Sequence, residues 1–261
     1  MASPFRVTGR RAGQRFDAER GVATEALLFL GELDPEAIGP SIAHATHYEP
    51  TPVGDLDALL AHVPFPLAGT TFVDLGAGMG RALLLAAQHP FRRIVGVEIS
   101  PALCAIARDN LATVERTYLR CRDLRVVRAD ARDVAFPRGD LVIYLYNPFD
   151  ATILGRVLDR LARGPRRDIA LVYHTPVERD CIDAHGTFER CGETPVGIVY
   201  RYISGAGIRT TASAVSGTSR ASARNATSPS TMLVPQVAST PGQPNHSHPS
   251  PGSVDPSTAP T

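Results

Sequence analysis

From residue 71 onward the apolar positions fall into short continuous runs, separated by stretches whose spacing is helical. The runs at 71–75, 94–97, 124–127, 141–146 and 169–173 read as strands, and 196–202 alternates as a last strand. Helical spacing occupies 80–88, 101–114 and 151–163. Uninterrupted apolar strands between amphipathic helices predict an α/β fold whose mainly parallel sheet is covered on both faces. In such a sheet ligands bind beyond the carboxyl ends of the strands, where the strand order reverses. Ahead of this core, 19–30 predicts one helix within a cap or lid formed by residues 1–44.

Past residue 204 the pattern stops. Residues 205–261 are mostly Ser, Thr, Pro, Ala and Gly, with a single apolar cluster at 232–237. Such a segment buries too little surface to offset its ordering entropy, and it is expected to be disordered. The folded domain is therefore placed at 45–204.

Composition narrows the picture by exclusion. The net charge is +1, so no basic field draws in nucleic acid and no acidic one draws in a cationic partner. All 27 basic residues are Arg, a mark of genomic base composition rather than of function. Cys104, Cys121, Cys181 and Cys191 form no CxxC pair, which speaks against a zinc site and a disulfide framework. His44 and His47 lack a third ligand nearby, so no metal is expected. No secretory pattern opens the chain and no apolar run reaches a membrane-spanning ~18 residues, so a cytoplasmic protein without membrane partners is expected.

The candidate chemistry sits at the strand ends. Gly76, Gly78 and Gly80 follow the first strand in Asp-Leu-Gly-Ala-Gly-Met-Gly-Arg, where glycine lets the backbone turn tightly and approach a ligand. Dinucleotide sites use a similar loop, and Asp74 is what separates the readings. A carboxylate there opposes a pyrophosphate but favours a cationic amino acid moiety or a sulfonium. Glu98 ends the second strand 18 positions after Gly80, suited to accept both hydroxyls of a ribose. Asp130, after the third, is suited to accept from an adenine amine. The fourth strand ends in Asn147-Pro148-Phe149, and proline at 148 keeps Asn147 out of the helical region. That turn is expected to aim the Asn147 side-chain oxygen and the Pro148 carbonyl at one point, orienting a neutral amine. An ordinary turn with Asp150 as helix cap is the plainer alternative.

The order DLGAGMGR, GVE, RAD and YNPF resembles the class I S-adenosylmethionine-dependent methyltransferases over about residues 45–202. More narrowly, His-Tyr-Glu-Pro-Thr-Pro at 47–52 with the Asn-Pro-Phe is similar to the non-SET-domain histone lysine methyltransferases, as a bacterial relative. The resemblance implies a Rossmann-like, doubly wound sheet of seven strands with the last antiparallel. It implies S-adenosylmethionine as cofactor, held by Thr51, Asp74, Gly76, Gly78, Gly80, Glu98, Ile99, Asp130, Ala131 and Asn147. It further implies catalysis by Asn147, with Tyr48 in a segment closing over the cofactor and Tyr146 and Phe149 lining the transfer channel. The chain departs from that narrower pattern by the proline before Thr51, by Pro148 where the family has asparagine, and by lacking a basic nucleosome-binding segment. The acceptor implied is an amine on a small molecule or a protein side chain, with a hydroxyl or carboxylate left open beside it, methylated by metal-free displacement. Two other readings remain open at this point: a nucleoside-binding protein without catalysis, and a nicotinamide-dependent oxidoreductase.

Overall fold

The computed structural model describes residues 4–27, 38, 43–165 and 167–203, with side chains from residue 10. The tail expected to be disordered lies outside the described residues. Among the described residues the order is α1 (Pro4–Arg20), α2 (Asp55–Leu60), β1 (Thr71–Leu75), α3 (Arg81–Ala86), β2 (Arg93–Glu98), α4 (Pro101–Thr113), β3 (Leu124–Arg128), β4 (Leu141–Tyr146), α5 (Ala151–Ala162), β5 (Ile169–His174), α6 (Arg179–His185), β6 (Phe188–Thr194) and β7 (Gly197–Tyr202).

The seven strands form one sheet in the order β3-β2-β1-β4-β5-β7-β6. The first five run parallel, and β7 is antiparallel to both β5 and β6. Strand alternation sends Phe72, Ile94, Tyr144 and Val172 into the core on one face. Val73, Val95, Ile143 and Leu171 enter the core on the other. This is why the inner strands read as unbroken apolar runs. The chain reverses direction across the sheet at β1, whose neighbours are β2 and β4, so the carboxyl end of β1 is the switch point.

Helix ends obey the local chemistry. Ser100 caps α4 by accepting from Leu103 N, with Pro101 in the first turn. Asp150 caps α5 by accepting from Thr152 N and Ile153 N, at 3.0 and 3.2 Å. The five apolar residues α5 buries, from Ile153 to Leu161, sit on one face.

Two expectations are corrected. The amino-terminal helix covers Pro4–Arg20 rather than 19–30. Gly21, at φ 64°, ends it, and the chain continues without helix to residue 27. Phe16 anchors this helix in the core, and Asp17 accepts from Thr24 N, Thr24 Oγ1 and Glu25 N at 2.6–2.7 Å. The sixth strand, β6, was not visible in the pattern: Phe-Glu-Arg-Cys-Gly-Glu-Thr is an edge strand with a register shift between Arg190 and Gly192. No described helix is long and apolar enough to cross a membrane.

Candidate active site

One cavity opens over the carboxyl ends of β1, β2 and β4. It gathers Tyr48, Thr51, Asp74, Gly76, Gly78, Glu98, Ile99, Asp130, Ala131, Tyr146 and Phe149, which are eleven of the thirteen residues singled out above. Gly80 and Asn147 do not line it. Gly80 instead forms the amino-terminal cap of α3 at φ 88°, with Ala107 of α4 3.4 Å from where its Cβ would lie.

The glycine loop is tied inward by its own amides. Gly76 N and Ala77 N donate to Val97 O at 2.8 and 3.0 Å, Gly80 N donates to Ala77 O at 2.8 Å, and Gly78 N donates to Glu98 Oε2 at 2.8 Å. The other Glu98 oxygen accepts from Ser100 N at 2.8 Å. Burial pushes the Glu98 carboxyl up, against these amides, which favour its charge. The amides of Gly78, Ile99 and Ser100 leave this carboxylate lone-pair capacity for a further donor.

Asp74 is 3% exposed, and among the described residues no donor reaches its carboxylate. Burial first, and the Glu98 charge second, push its carboxyl up to about 8. A carboxylate in that state lacks a cation. Its register partner on β4 is Tyr144, fully buried, whose hydroxyl lies 2.9 Å from Thr51 Oγ1. Thr51 is thus fixed in the cavity despite the extra proline. Tyr144 itself was missed, although alternation in Tyr144-Leu145-Tyr146 puts both tyrosines on one face and both line the cavity.

A strap, residues 43–51, covers the loop. Ala45 forms an antiparallel bridge with Phe149, Thr46 N donates to Pro148 O at 3.2 Å, and Asp150 N donates to His44 O at 3.1 Å. His44 Nδ1 lies 2.7 Å from Asp150 Oδ2. The Tyr48 ring rests on the loop, so a Cβ at Gly78 would stand 2.1 Å from its Cε2, and its hydroxyl donates to Thr24 O at 2.8 Å. The cavity's volume is about 110 Å³. That is below the ~300–1,000 Å³ usual for ligand pockets, so the strap stands pressed onto the loop. Gly78→Ala is expected to cost about 1–2 kcal/mol of stability, from a left-handed φ of 53° and displacement of Tyr48. Chemical denaturation with an unchanged midpoint would contradict this.

Behind the loop, Arg81 is 2% exposed. It forms ion pairs with Asp17 and Glu25 at 3.2 and 3.0 Å, bonds Thr24 Oγ1, and lies 4.8 Å over the Phe16 ring. The sequence marked Arg81 only as the end of the glycine motif. Its partners lie 56 to 64 residues away, which no local pattern reveals.

Two polar residues are placed otherwise than expected. Asn147, at φ 45°, adopts a left-handed conformation that turns its side chain toward β5, where Tyr173 hydroxyl donates to Asn147 Oδ1 at 3.3 Å. Its carbonyl accepts from Thr46 Oγ1, and the Pro148 carbonyl is taken by Thr46 N. The two acceptors expected to converge on a substrate amine are both engaged within the protein. Asp130 lines the cavity, but Arg132 forks onto its carboxylate through Nε at 3.0–3.1 Å and the terminal nitrogen at 2.8 Å. Little capacity remains for an adenine amine.

Residues 72–164 match the family described as a methyltransferase domain. No curated protein matches the chain. Among solved structures, an RNA methyltransferase from Salinibacter ruber in complex with S-adenosyl-L-homocysteine is 20% identical over 59% of this chain and 92% of its own, with a TM-score of 0.41. A SAM-dependent methyltransferase from Aquifex aeolicus is 14% identical over 66% of this chain and 100% of its own, with a TM-score of 0.43. Magnesium protoporphyrin IX methyltransferase from Synechocystis PCC 6803 with bound SAM is 14% identical over 56% and 74%, with a TM-score of 0.38.

Proposed function

We propose that this chain, with a methyltransferase domain over residues 72–164, is an S-adenosylmethionine-dependent methyltransferase whose cofactor lies in the cavity between the glycine loop and the strap. The observation that carries the reading is Asp74: a buried carboxylate that no donor reaches among the described residues, facing a cavity that also holds the Glu98 carboxylate. A cationic nucleoside satisfies it, and an anionic one worsens it. The same geometry speaks against a nicotinamide dinucleotide. A pyrophosphate needs free loop amides, and those of Gly76, Ala77, Gly78 and Gly80 all donate within the protein.

In this reading Asp74 meets the positive charge of the amino acid part and Glu98 takes the ribose hydroxyls. Thr51, steadied by Tyr144, and the Tyr48 ring enclose the site from the strap side, and Ile99 and Ala131 flank the base. S-adenosylmethionine, when bound, supplies an electrophilic methyl group on a sulfonium. The protein's part is alignment and exclusion of water, worth up to roughly 7–11 kcal/mol where geometry is ideal. Tyr146 and Phe149 wall the transfer channel. Asn147 acts here as a positioning residue, since its side chain fixes the turn that carries them. With its oxygen turned to Tyr173, a preference for amine acceptors loses its geometric basis, and so does the narrower likeness to lysine methyltransferases.

Calorimetric titration of the full chain with S-adenosylmethionine and S-adenosylhomocysteine, with NAD as control, tests the assignment. Micromolar binding of both sulfur nucleosides and none of NAD is expected. Binding of NAD alone, or of none of the three, would sink it.

A further inference from the structure

A second cavity lies on the far side of the strap. Pro52 and Val53 border it, as do His174, Thr175, Pro176 and Val177 at the end of β5. Its volume of about 840 Å³ is that of a small-molecule site. Its mouth is apolar: Val53 is 40% and Val177 62% exposed, two of the four large hydrophobic residues exposed in the described part. Its floor is polar. His174 is buried, its Nε2 2.8 Å from Asp55 Oδ2 and its Nδ1 3.1 Å from Thr175 Oγ1.

With the Asp55 carboxylate accepting, the neutral ring carries its proton on Nε2, which leaves Nδ1 to accept from the Thr175 hydroxyl. The result is a chain of carboxylate, imidazole and hydroxyl ending at Thr175, an exposed residue. Thr175 holds φ 47°, a conformation costly for a β-branched residue and of the kind found where a side chain is aimed for function. The site also abuts the first cavity. The His174 and Tyr146 rings pack edge to face with centroids 4.1 Å apart, Tyr146 lines that cavity, and Thr51 lines the first cavity where Pro52 lines the second.

We infer that this second cavity is the methyl-acceptor site, that its substrate is a largely apolar small molecule bearing an ionisable hydroxyl of the phenol or enol class, and that Thr175 and His174 carry away the hydroxyl proton. The inference rests on the methyltransferase reading above. The acceptor lies against Val53 and Val177 and reaches toward the first cavity past Tyr146, which lines that cavity and packs on His174 of the second. Its O–H bond breaks as its proton passes to Thr175 Oγ1, while the Thr175 proton passes to His174 Nδ1 and Asp55 holds the imidazolium that results. The acceptor oxygen keeps the electron pair that bonds the methyl carbon, and the pair of the broken carbon–sulfur bond stays on sulfur. A hydroxyl needs such a route, because it is a weak nucleophile until its proton leaves.

The probe is 4-ethylphenol, titrated into the full chain with S-adenosylhomocysteine present and followed by amide and imidazole NMR, with 4-ethylbenzylammonium as the charged counterpart. Saturable binding is expected to shift Val177, Thr175 and His174, to weaken about five- to tenfold in Thr175→Val, and to vanish in Val177→Glu. Calorimetric binding of S-adenosylhomocysteine should be unchanged in both variants. Absence of saturable phenol binding, undiminished binding in both variants, or tighter binding of the ammonium would each overturn the inference. Loss of S-adenosylhomocysteine binding by the unmodified chain would instead overturn the methyltransferase reading.

Discussion

Asp74→Asn is expected to weaken S-adenosylmethionine binding by about 1.4–2.8 kcal/mol, roughly ten- to a hundredfold. A carboxylate and a cation ~4 Å apart attract by about 4 kcal/mol at the effective dielectric of a partly wet site, and some of this is offset when the carboxylate is desolvated. The free protein should respond in the opposite sense. Asp74 titrates at about 8 instead of its ordinary 3.8, so between those values the folded chain holds a proton that the unfolded chain has released. Stability of the unmodified protein therefore falls as pH rises through that window. The asparagine side chain has no such titration, and the variant's melting temperature should gain on the parent's between pH 5 and pH 9. Binding of the cation near neutral pH should also expel the Asp74 proton, giving a titration heat that depends on the buffer's ionisation enthalpy. Equal affinity in parent and variant, together with parallel melting curves across pH, would remove Asp74 from the binding site.

Arg81→Met should destabilise the fold by about 3–5 kcal/mol, the usual cost of removing one side of a buried ion pair. Asp17 and Glu25 are only 12% and 14% exposed as side chains, so both would be left with charge and little water. Adding Glu25→Gln should restore part of the loss, because it removes one of the stranded charges. Urea denaturation reads both effects. A loss under about 1 kcal/mol for the single change would mean that α1 separates easily from the glycine loop and the cluster contributes little.

The sheet was legible because its inner strands are buried on both faces, and each of the six strands read from the pattern falls within a residue or two of its observed span. What escaped was marginal in the physical sense. β6 is a half-exposed edge held by pairing with β7, and α1, over its described side chains, is anchored by Phe16 and the Asp17 bonds. The site shows the same division. Asp74, Glu98 and Asp130 stood out because a parallel sheet delivers strand ends to one edge, and all three reach the cavity. Side-chain direction was not legible. A positive φ swings Asn147 toward Tyr173, and Arg132, two residues on from Asp130, closes over its carboxylate. The Asp55–His174 pair joins residues 119 apart, beyond any spacing argument.

The bridge between Ala45 and Phe149, with the Thr46 and Asp150 amide bonds on either side of it, has a kinetic meaning. A ligand seated under the strap is freed more readily when this short ladder peels from the turn. Residence time is then set by the ladder and affinity by the carboxylates beneath it. Two proteins with the same Asp74 and Glu98 but a weaker ladder would bind equally well at equilibrium only if they also captured ligand faster, and would discharge spent nucleoside sooner.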